Sequence, residues 1–539
     1  MNTYLEKFSL LYPNPDVYEK DKINVRFNKN PEMLAMLGLS NMFNADKLNH
    51  FQYATCDLET LNYRFDIFAD ILKNKELYEI MKITHEYLID IYDVRMAAKN
   101  FQSTELESYV YVISEIELYI KCVNYLAKSY KKLEILPESK GFLDLFNYIT
   151  EVYVGDEYRN LVKNIEFLDF RVHNLRSITI GANLDSQLKI VEAGIVSVND
   201  QVFSSGGLID MLLKMDMKKN EYTTIAPLVS SRKGVTLKEK QIVDDMFIQT
   251  LNKIYSSSIK QWRPIVTHFM QNNTNFLVKL APEMKFIINC ADIMFELDKI
   301  GAVLCKPELF ERNEKIFDIK GLYNASLALS LNNFDEVVLN DIVFDENGMI
   351  YILTGPNRGG KSVITCAIGI AQLFCQLGML IPAQSAKISP VDCIYTHFAG
   401  NYNTLDKGRL GEECERLSAI LNEVTQYSLV LLDETLSSTG SFEGSYIAAE
   451  VVSGLSLFGC RCIYSTHMHE LAALVDKINA ASDNKIDTLV AGIDDGERSF
   501  KIKREKPDGK SYAKDIALKY GISFEKMHDR ANSIAQAKQ

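Results

Sequence analysis

Through roughly the first 300 residues, apolar positions recur at helical spacing. The clearest run is 105–133, where Leu106, Val110, Ile113, Ile116, Tyr119, Ile120 and Leu126 alternate with Glu115, Glu117, Lys121 and Lys128. About 29 residues of this pattern is long for a compact globular helix. Helices of that length usually act as levers or struts. Residues 57–82 predict a second helix of the same kind. The rhythm breaks between about 178 and 260, where Ser177-Ile-Thr-Ile-Gly-Ala-Asn183 alternates like a strand. After Leu297, short apolar runs alternate with helices, as in a parallel α/β sheet. Three of these runs read as buried strands: Met349-Ile-Tyr-Ile-Leu-Thr354, Ser428-Leu-Val-Leu-Leu432 and Arg461-Cys-Ile-Tyr-Ser-Thr466. Each ends in a polar cluster, where such sheets place their ligands.

Composition changes this picture little. At roughly 150 residues per domain, 539 residues predict three or four domains, and only 12 prolines and 27 glycines favour long helices over many turns. The net charge of −12 argues against a small, uniformly basic duplex binder. A net acidic chain can still carry a local basic surface. Within 214–240 lie Lys214, Lys218, Lys219, Arg232, Lys233, Lys238 and Lys240, seven bases against three acids, for a local excess of +4. This window is either a solvated lysine-rich face or a tip that binds a nucleic-acid backbone. The ten cysteines show neither disulfide-framework nor zinc spacing, which predicts reduced thiols in a cytoplasmic protein. The first residues lack the apolar core of a signal peptide. Residues 362–386 carry no charge, but Gln372, Gln376 and Pro382 interrupt them. They predict a helix buried under a ligand and not a membrane span.

The chemistry starts at Gly355-Pro-Asn-Arg-Gly-Gly-Lys-Ser362, which matches the phosphate-loop pattern G-x-x-x-x-G-K-[ST] between a buried strand and a helix. Glycines let backbone N–H groups wrap phosphates, and the helix start adds its positive end. The candidate nucleotide-binding residues are Gly355, Pro356, Asn357, Arg358, Gly359, Gly360, Lys361, Ser362 and Val363. Lys361 would supply a cation, and Ser362 and Asp433 are the candidate magnesium ligands. Asp433 and Glu434 end an apolar strand, so Asp433 can order magnesium through its water shell while Glu434 polarises an attacking water. His467, after the next strand, can bond a γ-phosphate.

These segments resemble the ATPase domain of MutS mismatch-repair proteins. The resemblance is carried by Thr354-Gly-Pro-Asn-Arg-Gly-Gly-Lys-Ser362, Ser428-Leu-Val-Leu-Leu-Asp-Glu434 and Ser465-Thr-His-Met-His-Glu-Leu471. Asn340-Asp341, Phe295-Glu-Leu-Asp-Lys-Ile-Gly-Ala302, Lys510-Ser-Tyr-Ala-Lys-Asp-Ile-Ala517 and Asp57-Leu-Glu-Thr-Leu-Asn-Tyr-Arg64 extend it more weakly. It implies a multidomain protein: a mostly α-helical lever and clamp region, then an α/β P-loop ATPase of the ABC class. The implied plan is a segment 1–40, a helical core and lever 41–310 with a clamp-like insertion near 185–260, an ATPase domain 311–510 and a helical dimerisation segment 511–539. ATP and Mg2+ are the implied cofactors. The implied partner is duplex or branched DNA, gripped by a homodimer that sandwiches two nucleotides.

The departures fall at particular places. The stretch ahead of the lever is too short for mismatch-reading and connector domains, which makes a duplex or branched-structure clamp the expectation. Arg358 stands where the family has methionine, and Gly408-Arg-Leu-Gly-Glu-Glu413 replaces its serine-bearing signature. The segment after Glu434 is Thr-Leu-Ser-Ser-Thr-Gly-Ser-Phe-Glu-Gly444. These changes leave nucleotide binding within one chain untouched and bear on activation across a dimer, hence on turnover. Two alternatives follow: a ribosome- or RNA-remodelling ATPase, and a non-hydrolysing scaffold whose nucleotide sets dimer geometry.

Overall fold

The computed structural model describes residues 9–14, 32–39, 42, 53–100, 105–167, 177–188, 190–199, 201–202, 204–205, 223–224, 260, 263–267, 269, 275–398, 408–480, 484–494, 497–507, 524–528 and 530. The basic residues of the 214–240 window lie outside them.

In chain order the first elements are helical: α1 (Glu32–Met36), α2 (Leu58–Lys73), α3 (Lys75–Asn100), α4 (Glu105–Tyr130), α5 (Lys140–Val154) and α6 (Asp156–Phe167). The periodic run 105–133 is thus one helix, α4. The run 57–82 is two. Asp57 caps α2 by accepting from the Thr60 N–H at 2.8 Å, and Asn74 breaks the path with an extended backbone (φ −132°, ψ 96°). The Asn74 side chain then accepts from the Glu76 N–H at 3.0 Å and starts α3. An amide that caps one helix and opens the next does not disturb the apolar period, so the pattern ran through the break.

The strand-like alternation near 177 is β1 (Ser177–Leu184), paired antiparallel with β2 (Ile190–Asn199). Two short strands, β3 (Ser204–Ser205) and β4 (Thr223–Thr224), pair in parallel. Next come α7 (Asn275–Lys279) and α8 (Ala281–Lys299). The α/β part then follows: β5 (Glu308–Leu309), β6 (Phe317–Leu322), α9 (Ala325–Leu331), β7 (Asn340–Phe344), β8 (Ile350–Thr354), α10 (Lys361–Leu377), β9 (Ser385–Ile388) and β10 (Ile394–Phe398). The last stretch holds α11 (Arg409–Glu423), β11 (Leu429–Asp433), α12 (Ser441–Phe458), β12 (Arg461–Ser465), α13 (His469–Ala473), α14 (Val475–Asn479), β13 (Ile486–Asp494) and β14 (Glu497–Arg504). No described helix is long and apolar enough to cross a membrane.

The chain divides into two compact units. One is built from 79–136 and 143–284. Its helices meet through aromatic side chains: Tyr130 stacks on Phe146 with ring centres 4.3 Å apart, and Tyr119 meets both Tyr158 and Phe269 edge-on. Arg95 of α3 pairs with Glu115 of α4 at 2.6 Å.

The other unit comprises 7–78, 137–142 and 285–539. Its main sheet has the order β10-β11-β12-β8-β13-β14, with the first five strands parallel and β14 antiparallel at the edge. A second sheet has the order β5-β9-β6-β7. Helices cover both faces of the main sheet, and β8, β10, β11 and β12 are accordingly buried at nearly every position. Ile350, Ile352, Val430, Leu432 and Tyr464 pack against α11, α12 and α13 through Leu417, Val452, Leu455 and Leu471. The opposite face carries α10, whose Gly369 allows a close approach: a Cβ there would lie 2.6 Å from Leu37 Cδ2 and 2.7 Å from Leu431 Cδ1. The uncharged run 362–386 is therefore mostly this buried helix. Its two glutamines bond through their amide N–H groups, with Gln376 Nε2 donating to the Val391 carbonyl at 2.8 Å and Gln372 Nε2 donating to Gln376 Oε1 at 3.1 Å, while Gln372 Oε1 is buried without a protein partner.

Candidate nucleotide site

Strand β8 is fully buried and delivers the chain to the carboxyl edge of the sheet at Thr354. The turn that follows needs unusual backbone. Gly355 has φ +143°, and a Cβ on it would lie 2.7 Å from the Ala491 Cβ; Gly360 has φ +92° and caps α10. Arg358 adopts φ +61°, a left-handed conformation uncommon for a side-chain-bearing residue. Lys361 is only 4% exposed. Its Nζ donates to the carbonyls of Gly355 and Pro356, both at 3.2 Å, and lies 3.8 Å from Glu434 Oε1. Burial lowers the pKa of Lys361, and the carboxylates of Glu434 and Asp433 oppose that fall.

Two strands away, β11 ends at Asp433, in register with Ser465 at the end of β12. Asp433 is buried and its Oδ1 has no protein hydrogen-bond partner. Burial raises its pKa, while the Ser362 and Ser465 hydroxyls and Lys361 hold it down. Glu434 turns out of the strand with φ +50°, its N–H donating to the Ser465 carbonyl at 2.8 Å, and Leu436 follows at φ +62°. Left-handed backbone at non-glycine residues costs on the order of 1–3 kcal/mol each and persists where the surroundings impose it.

A cavity of ≈ 480 Å³ opens beside this loop. Arg358, Gly359, Gly360, Lys361, Ser362, Val363 and Glu434 line one side. Sequence reasoning did not anticipate the other wall, which includes Tyr323, Leu327, Leu331, Val338 and Phe500. Phe500, at φ +55°, lies over Gly360, with its Cβ 3.8 Å from where a Gly360 Cβ would stand. Asn340 fixes that edge, accepting from the Ile502 N–H at 2.7 Å and donating to the Phe500 carbonyl at 3.2 Å. Asn324 caps α9 and donates to the Val363 carbonyl at 3.1 Å, which ties the apolar wall to the loop helix. Of these, only Asn340 had a signal in the sequence, through its position ahead of β8.

Among the predicted residues, Asp433 lies beneath the loop and Glu434 at the cavity wall. Gly355, Pro356 and Asn357 shape the turn without lining the cavity. His467 follows β12 with an exposed side chain and does not line the cavity. It stands in a turn where the Met468 N–H donates to Thr466 Oγ1 at 3.0 Å.

Known families match two stretches of the chain. MutS domain V matches residues 351–537, and the MutS2 N-terminal domain matches residues 56–300. Both matched domains are MutS-family domains, and the chain is similar to that family along most of its length. Among curated relatives, DNA mismatch repair protein MutS of Fusobacterium nucleatum subsp. nucleatum is 26% identical over 507 residues, covering 89% of this chain and 54% of its own length. The protein of the same name from Microcystis aeruginosa is 30% identical over 284 residues, or 51% and 31% of the two chains. That from Prochlorococcus marinus is 40% identical over 143 residues, or 26% and 16%. The chain thus spans about half the length of the first of these relatives and less of the others.

Proposed function

We propose that this protein is an ATP hydrolase of the MutS type that dimerises around nucleotide and grips duplex or branched DNA. The observation that carries the reading is a single cavity with the phosphate loop and Glu434 on one wall and an apolar surface on the other. Such a division suits a nucleotide, with phosphates on the loop and the base against Phe500 and Leu331. The domain plan drawn from the sequence, with boundaries at 40, 310 and 510, belongs to this proposal.

The residues present fit a magnesium ion. Asp433 offers a buried carboxylate oxygen without a protein partner, and Ser362 stands at the mouth of the loop within reach of that carboxylate. Asp433 and Ser362 would hold it, and the bound ion would supply charge that neutralises the phosphates. Lys361 brings a second cation, whose proton the neighbouring carboxylates help retain. Backbone N–H groups at the start of α10 would orient the phosphates. Glu434, with its side chain 37% exposed, is free to accept a proton from an attacking water. His467 would enter only when a nucleotide or a second subunit reaches it.

DNA is the proposed partner because the relatives are named for mismatch repair. The basic residues of 214–240 are its proposed contacts. A ribosome- or RNA-remodelling role has no observation in its favour here. The decisive experiment measures ATP hydrolysis alone and with duplex DNA, branched DNA or ribosomes. Stimulation by DNA supports the proposal; stimulation by ribosomes alone, or no hydrolysis under any condition, overturns it.

A further inference from the structure

Helix α11 packs on the sheet through a stripe of apolar side chains: Leu410, Cys414, Leu417, Ile420 and Leu421. Glu413 stands in that stripe and is buried, with 7% of its surface exposed. A carboxylate at a core position loses its water and is retained only where it finds donors. Burial raises the pKa of Glu413, and the donors that oppose this come first from one short segment. Ser438 Oγ donates to Glu413 Oε2 at 3.2 Å, and the Leu436 N–H also bonds to the carboxylate.

That segment is the continuation of Glu434. Glu434 and Leu436 both hold left-handed backbone, so the turn must be fixed from outside. Strand β12 supplies two anchors: the Ser465 carbonyl accepts the Glu434 N–H, and Tyr464 Oη accepts from Thr435 Oγ1 at 2.7 Å. Neither reaches past Thr435. Beyond the packing of the buried Leu436 side chain in the core, the polar hold on 436–438 comes from α11.

We propose that Glu413 is a positioning residue for Glu434: its buried carboxylate fastens the 436–438 segment to helix α11 and thereby sets the turn on which Glu434 stands. The proposal rests on the reading of Glu434 as the residue that polarises water. It also gives the first turn of α11, where the atypical Gly408-Arg-Leu-Gly-Glu-Glu413 segment ends, a direct mechanical path to the hydrolytic carboxylate.

The test uses the full chain with Glu413→Ala, Glu413→Gln and Ser438→Ala. It measures ATP kcat and KM, nucleotide Kd, and amide exchange across 434–440. Glu413→Ala should lower kcat about tenfold to a hundredfold while KM and Kd stay within about twofold, because the loop loses its aim and the phosphate site is untouched. Glu413→Gln should recover most of the rate, since its amide oxygen still accepts from Leu436 and Ser438. The Leu436 amide should exchange roughly fivefold faster or more in the alanine variant, with β11 unchanged. Ser438 is exposed, so Ser438→Ala folds regardless and should shift kcat and exchange the same way by less. Unaltered kcat and exchange, or a Kd that worsens in step with kcat, would overturn the proposal. A wild-type chain without hydrolysis would overturn the ATPase reading alone, and the exchange result would still decide the role of Glu413.

Discussion

Lys361 Nζ stands 3.8 Å from Glu434 Oε1, although the two residues lie on different loops and 73 positions apart. The lysine is buried and held by two loop carbonyls; the glutamate is partly open to solvent. This asymmetry suits a fixed cation facing a carboxylate with freedom to move.

Lys361→Ala should remove nucleotide binding while the fold survives. The lysine is the only side-chain cation buried in the loop, and its loss should cost on the order of 2–4 kcal/mol of affinity, as for other charge-assisted contacts. Titration calorimetry with ATP, read beside thermal unfolding, checks this. Wild-type affinity in the variant would remove the site assignment.

Glu434→Gln should bind ATP nearly as well as wild type, hydrolyse it far more slowly and accumulate as a dimer with ATP. Light scattering with and without ATP gives the oligomer, and phosphate release gives the rate. A variant that hydrolyses normally refutes the role of Glu434. One that stays monomeric argues against a shared nucleotide site.

Phe500 forms part of the apolar wall above Gly360 and is 44% exposed. Phe500→Ala should weaken nucleotide affinity by about 1–2 kcal/mol through lost aromatic contact, leaving kcat at saturating ATP close to wild type. A variant with unchanged Kd would mean that the base lies elsewhere.

His397 on β10 is 1% exposed and its Nε2 has no protein partner. Burial, aided by nearby Arg416, lowers its pKa from 6.5 to about 4. The folded state therefore binds this proton less readily than the unfolded chain does. Stability should be constant above about pH 6.5 and fall as pH drops towards 4, by about 3 kcal/mol for this group when complete. Chemical denaturation of His397→Gln across that range should show a shallower loss. An identical pH profile would show that His397 does not carry it.

Nucleic-acid binding, if it resides in 214–240, should be strongly salt-dependent. With about four side chains on phosphates, log affinity against log salt should fall with a slope of roughly −3 to −4 for duplex DNA. Charge reversal of Lys218, Lys219, Arg232 and Lys233 to glutamate should flatten that slope for every sequence alike, with basal ATP hydrolysis unchanged. Equal binding at equal salt would send the search to another surface.

The sequence alone determined the features whose causes are local. The phosphate loop depends on glycines and a lysine at fixed spacing. Three buried strands announced themselves by continuous apolar runs, and Asp433-Glu434 by its place at the end of one. The alternation at 177–183 gave β1 for the same reason. Tertiary structure decided what no period encodes. Phe500 meets Gly360 across 140 positions, and Leu37 fits against Gly369 because that residue lacks a Cβ. Asn74 divides one apolar pattern into two helices with a single side-chain amide. Glu413 occupies a position that helical spacing assigns to the core, and only the turn of 436–438 folded against it explains a carboxylate there. Periodicity records which face of an element is buried. The partner that face meets is fixed by long-range packing, and the apolar wall of the cavity and the anchoring of Glu434 both depend on that packing.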